Sequence, residues 1–168
     1  HGELGRVQLA RPRPGARDSQ DRWIGGLAAR GIGNAFDSPT RTVTEADVVN
    51  FACLSADFNR LHVDAEFARD TPYGQRIAHG LLVLSIASGL RSDTDAWHVI
   101  AYLEEQRRFV APVYAGDTIG ARWRVDSLRR SRSRPGTGIV TLSVEVRNQD
   151  DEVVQAGTDV LLVGARTK

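Results

Sequence analysis

Apolar positions change their spacing near residue 98. Upstream of it the spacing is helical. After Thr44, Val48, Phe51, Ala52 and Leu54 form one apolar face, with Glu45 and Asp47 in the first turn, where a helix dipole favours acids. Thr44 suits the N-cap. "AEFARDTP" predicts a second short helix stopped by Pro72. From Ile77 to Leu90 the chain is apolar almost all round, which predicts a helix buried on most sides. Its small residues, Gly80, Ser85, Ala87, Ser88 and Gly89, suit close wrapping by a sheet.

From residue 98 the period becomes two. Val99, Ala101 and Leu103 alternate with their neighbours. So do Ile119, Ala121, Trp123 and Val125, and then Val140, Leu142, Val144 and Val146; "EVVQAGTDVLLVG" closes the series. "PVYAGD", "SRSRPGTG" and "NQDDE" supply the turns. Helices followed by an antiparallel meander predict an α+β domain, with the apolar helix on one sheet face. Residues 1–20 read as a poorly ordered arm and 21–168 as one domain. The Gly-rich stretch "RWIGGLAARGIGNAFDSP" has room for a short strand, or for a loop packing Trp23 and Ile24 onto the core.

Composition narrows the function. A net charge of +1 gives no global electrostatic case for nucleic acid or an anionic membrane. One cysteine, Cys53, excludes an internal disulfide, a cysteine-based zinc site and a CxxC redox pair; its apolar helical setting predicts a buried small residue. No run reaches the roughly 18 apolar residues of a membrane span. The first 20 residues lack the apolar core of a signal peptide, so a cytoplasmic protein is expected. The basic run "RRSRSRPG" reads as a solvated hairpin tip, with contact to a coenzyme A phosphate as the alternative. Glu104, Glu105, Arg107 and Arg108 suggest a charged outer face or a subunit contact.

The densest chemistry lies in "SADFNRLHVDAEFARDTPYGQRIAHG". Asp57 and His62 sit five residues apart, close enough to share one small molecule if a loop joins them: one orients water and takes its proton, the other donates. Asn59 offers amide hydrogen bonds between them. Gly80 opens the apolar helix, where a backbone N–H not hindered by a Cβ can meet developing negative charge. Each residue also has a plain structural reading: Asp57 as a cap or Asx turn, His62 as a packed imidazole, His79 as a cap, Gly80 as a helix–sheet contact.

"FACLSADFNRLHVDAEFA" followed by "YGQRIAHGLLVLSIASGL" resembles the MaoC-like dehydratases, the (R)-specific enoyl-CoA hydratase group, and "RRFVAPVYAGDTI" adds to the likeness. The resemblance covers about residues 35–165. It implies the hotdog fold, an antiparallel sheet wrapped around one long helix. It implies reversible addition of water to a 2-enoyl-CoA, giving a (3R)-3-hydroxyacyl-CoA, with Asp57 and His62 as the catalytic pair and the Gly80 N–H as oxyanion donor. Asn59, Ser85, His79 and Arg60 fall at substrate-binding positions. No metal or cofactor is implied beyond the coenzyme A of the substrate. The expected partners are an acyl-CoA or acyl-carrier-protein substrate and a second copy in a homodimer, with no nucleic acid or membrane. Two residues depart from the pattern: Ala56 replaces the usual glycine and Arg60 the usual proline. Arg60 prompts a second reading, a branched, dicarboxylic or carrier-bound acyl group. A non-catalytic thioester-binding subunit and a thioesterase are further alternatives.

Overall fold

The computed structural model describes residues 31–91 and 98–164. The expected arm at 1–20 and the packing of Trp23 and Ile24 lie outside the described residues. Two short strands come first, β1 (Ala35–Asp37) and β2 (Arg41–Thr42). Four helices follow: α1 (Glu45–Ser55), α2 (Arg60–Val63), α3 (Ala65–Arg69) and α4 (Gly80–Gly89). Then come the long strands β3 (His98–Phe109), β4 (Thr118–Arg130), β5 (Thr137–Arg147) and β6 (Val153–Gly164).

The helix starts follow local chemistry. The Thr44 side chain accepts from the Asp47 N–H while the Asp47 carboxylate accepts from the Thr44 N–H, closing a capping box. Asn59 and Asp64 cap α2 and α3 with a single bond each, their side chains accepting from the Leu61 and Phe67 N–H groups. α3 ends before Pro72, as its pattern predicts. α4 begins at Gly80 and not at Ile77. The Ile77 N–H is taken by Leu61 O and the Ala78 N–H by Val113 O, so both residues run extended into the helix.

The sheet is antiparallel, ordered β1-β4-β5-β6-β3, with β2 paired to β4. Strands β4 to β6 form the predicted meander. β3 does not join β4 but pairs with β6 at the far edge. The connection from β3 to β4 must therefore pass two intervening strands, three spacings of ~4.8 Å or about 14 Å. It passes the start of α4, where Val113 O accepts from Ala78.

One sheet face buries Ile119, Ala121, Trp123 and Val125 of β4, Val140, Leu142, Val144 and Val146 of β5, and Leu161 and Val163 of β6. Leu82, Val83, Ile86 and Ala87 of α4 complete this core. Fully burying such a side chain contributes about 1.5–3 kcal/mol, before the entropy it opposes. α4 is less enclosed than its composition suggests, since Leu81 stays 59% exposed. Cys53 is exposed, against expectation, because α1 buries only the Val48–Ala52 stripe.

β3 shows no clean alternation, having register shifts at Val99/Ala101 and Tyr102/Glu104. The two one-residue shifts cancel, so Arg107 faces inward like Val99. Far from lying on a charged outer face, its side chain is 3% exposed and pairs with Asp159 of β6 at 2.7 Å. The Asp159 carboxylate is 0% exposed, accepts from Trp123 Nε1 at 3.1 Å and also pairs with Arg91, just past α4.

Candidate active site

The loop after α1 turns on Ala56, whose φ of 57° is left-handed. A Cβ makes that region unfavourable by roughly 1–2 kcal/mol, the physical reason a glycine suits the position. The turn delivers Asp57, whose Oδ1 accepts from the Asn59 N–H at 3.2 Å in an Asx turn. Asn59 then starts α2, which carries His62.

His62 has a fixed tautomer. Its Nδ1 lies 2.8 Å from Ile77 O, a carbonyl that can only accept, so Nδ1 carries the proton. Nε2 is left with its lone pair, as a general base requires. His79, 2% exposed, lies under this loop. Its Nε2–H donates to Asp57 O at 3.0 Å, and its ring stacks on His62 at 3.8 Å and tilts against Phe51 at 5.1 Å. His79 thus anchors the loop carrying Asp57 and backs the ring of His62.

Ligand atoms of Asp57, His62 and His79 all lie within 4.8 Å of one another, and these residue types can also bind a metal. Asp57 is exposed in the single chain.

A cavity of about 380 Å³ opens beside His62 and Gly80. Its walls come from Ile77 and Leu81 on the helix side, and from Phe109, Val110 and Val113 where β3 crosses toward β4. Gly80 takes the first helical position of α4, where N–H groups have no intrahelical acceptor. A Cβ there would stand 2.6 Å from the Phe109 ring, so only glycine lets that ring close over the helix start.

Other predicted site residues are engaged away from the cavity. The Asn59 side chain accepts from the Leu61 N–H. Arg60 pairs with Asp64 at 2.9 Å and lies over the Phe67 ring at 4.2 Å. The Ser85 hydroxyl donates to Leu81 O at 2.7 Å. The structure adds Phe109 and Gln155 to the cavity wall, neither of which the motif reading selects. A signal for Gln155 was present: counting back by twos from buried Val163 and Leu161 passes through Asp159 to Gln155.

Comparison with known proteins fits this geometry. The family model described as "MaoC like domain" matches residues 28–148. The chain is 34% identical over 116 residues to the (R)-specific enoyl-CoA hydratase of Aeromonas caviae, covering 69% of this chain and 83% of that protein. It is 46% identical over 91 residues to Protein MaoC of Klebsiella aerogenes; that match takes in 54% of this chain and spans 27% of the relative. Among solved structures, a protein from Archaeoglobus described as a monoamine oxidase regulatory protein superposes with a TM-score of 0.74 at 39% identity, covering 82% of this chain and 92% of that one. A double-hotdog protein of Mycobacterium tuberculosis, 24% identical with a TM-score of 0.72, matches in fold, covering 84% of this chain and 44% of that one.

Proposed function

The chain belongs to the MaoC-like domain family and has its hotdog fold, and on that premise we propose that it is a hydratase/dehydratase of acyl thioesters, adding water reversibly to a 2-enoyl-CoA to give a (3R)-3-hydroxyacyl-CoA. The observation that carries this reading is His62, held through Nδ1 by Ile77 O, with a ring nitrogen within 4.8 Å of an Asp57 carboxylate oxygen. Membership in a family with enoyl-CoA hydratase relatives supports it.

In the proposed reaction water sits between Asp57 and His62. His62 Nε2 takes one proton as the water oxygen bonds to C3. The C2=C3 pair shifts toward the thioester oxygen, which the Gly80 N–H meets at the helix start. The electron pair then returns to C2, and the imidazolium gives its proton there. Asp57 offsets the imidazolium charge. Proton and electron bookkeeping closes without a metal or redox cofactor.

The partner is a second copy of the chain. β3 is an edge strand with exposed Tyr102 and Leu103, and Phe109, Val110 and Leu81 are exposed at the cavity mouth. Pairing there would cover them and shield Asp57 from bulk water. Among the described residues no helix is long and apolar enough to cross a membrane, and we place the protein in the cytoplasm. The dicarboxylic alternative loses its motivation, since Arg60 is committed to Asp64 and Phe67. A carrier-bound acyl group remains compatible with the same chemistry.

The test is loss of the conjugated absorbance of crotonyl-CoA. Turnover by the wild-type protein, absent in Asp57→Asn, is the expected result. Full activity in that variant sinks the dyad. A folded dimer that binds acyl-CoA without turnover on enoyl-CoA or enoyl carrier protein would point to a non-catalytic subunit.

A further inference from the structure

Gln155 is 2% exposed, yet it lines the cavity beside Gly80. Its place is set by the sheet. Val146 of β5 pairs with Gln155 and Arg147 with Val153, so Val154 is an extra residue. A bulge of this kind turns the strand and re-aims side chains. Gln155 keeps the inward alternation of Val163, Leu161 and Asp159, opposite Val146, and the extra residue Val154 is buried beside it. Across the sheet Gln155 pairs with Phe109, the ring that covers Gly80.

The amide has one possible orientation. Its Nε2 donates to Gly80 O at 2.8 Å. A carbonyl cannot donate, so the nitrogen must face it and Oε1 must face away. Among the described residues, Oε1 is buried with no hydrogen-bond partner. An unsatisfied buried acceptor costs roughly 1–3 kcal/mol, and native proteins hold few of them. Most of the surrounding wall is apolar: Ile77, Leu81, Val83, Phe109, Val110 and Val113.

We infer that Gln155 is a specificity-determining residue, whose Oε1 accepts a hydrogen bond from a donor group on the acyl thioester in this cavity. This rests on the hydratase reading and deepens it. Near the thioester, two parts of such a ligand carry donors: the 3-hydroxyl of the acyl chain and the amide N–H and hydroxyl groups of the pantetheine arm. The geometry favours the hydroxyl, because the Gln155 amide is tied to the same residue whose N–H would meet the thioester oxygen. A 2-enoyl chain has no donor at C3 and a 3-hydroxyacyl chain does. Gln155 therefore favours the hydrated form, while its Nε2 holds the first turn of α4.

The test compares 3-hydroxybutyryl-CoA with butyryl-CoA, two ligands that differ only in the hydroxyl. Calorimetric binding is measured in the Asp57→Asn background, where turnover is blocked, with and without Gln155→Met. The hydroxylated ligand should bind about five- to tenfold tighter with Gln155 present, the worth of one net hydrogen bond. Gln155→Met should lower that preference by the same factor. Equal binding with Gln155 present overturns the proposal whether or not the methionine variant folds. Equal weakening of both ligands by Gln155→Met assigns Oε1 to the pantetheine amide and overturns the hydroxyl assignment. Continued turnover in the Asp57→Asn background is a different failure, that of the hydratase mechanism itself.

Discussion

At the amino end of α4, Asp57, His62 and His79 gather beside a cavity; just past its carboxy end, Asp159 is sealed between Arg91, Arg107 and Trp123. Both clusters mix acids with cationic or imidazole groups. They differ in what the polar atoms meet. In the first, His62 keeps a basic nitrogen and Asp57 faces solvent. In the second, the carboxylate is out of water and its charge is matched by arginine. The first cluster has chemistry left over for a ligand, and the second spends its chemistry on the fold.

That contrast breaks most directly at His62. His62→Ala should lower hydration by about 10²–10⁴-fold, the usual worth of a general acid–base group. The unfolding midpoint should barely move, because the ring is only half-buried. A large drop in denaturation midpoint would make His62 structural and erase the distinction.

Asp159→Asn should do the reverse. It strips the charge from between two buried guanidinium groups, a change that costs about 3–5 kcal/mol when a buried pair is broken. Urea unfolding reads the cost. Crotonyl-CoA hydration by the folded fraction should stay near wild type, and loss of activity without loss of stability would contradict the comparison.

Gly80→Ala sharpens it at the boundary between core and site. The new Cβ meets the far end of Phe109, an exposed ring that can swing away. Activity should fall more than stability, and Gly80→Ala combined with Phe109→Ala should recover part of it. No recovery would place the defect in the backbone of α4.

The smallest effect is expected at a cap remote from both clusters. Burial raises the Asp47 pKa, but the hydrogen bonds from the Thr44 N–H and hydroxyl, and Arg41, outweigh it and hold the pKa below the ordinary aspartate value. A lowered folded value means that the carboxylate stabilises the fold above the unfolded pKa of about 3.9 and loses that contribution as pH falls through the folded value. Asp47→Ala should therefore cost roughly 0.5–1 kcal/mol at neutral pH. Thermal melts of variant and wild type should converge below pH 3.9; a constant gap would assign the loss to the cap geometry and not to the carboxylate charge.

Sequence alone determined whatever neighbouring residues decide among themselves. The Thr44–Asp47 cap, the stop before Pro72, the period-two strands and the run from Asp57 to Gly80 all rest on contacts or spacings of a few residues. His62 and Asp57 were legible because one short loop joins them, though their meaning came from the family motif. Tertiary structure decided the rest. It sent β3 to the far edge beside β6, which laid Phe109 over Gly80. It exposed Cys53, tied Arg60 to Asp64, and paired Arg107 with buried Asp159. It brought Arg91, Arg107, Trp123 and Asp159 together from four parts of the chain, and set Gln155 of β6 against Gly80 O. Strand order and bulges depend on how distant segments share a core, and no local pattern records that choice.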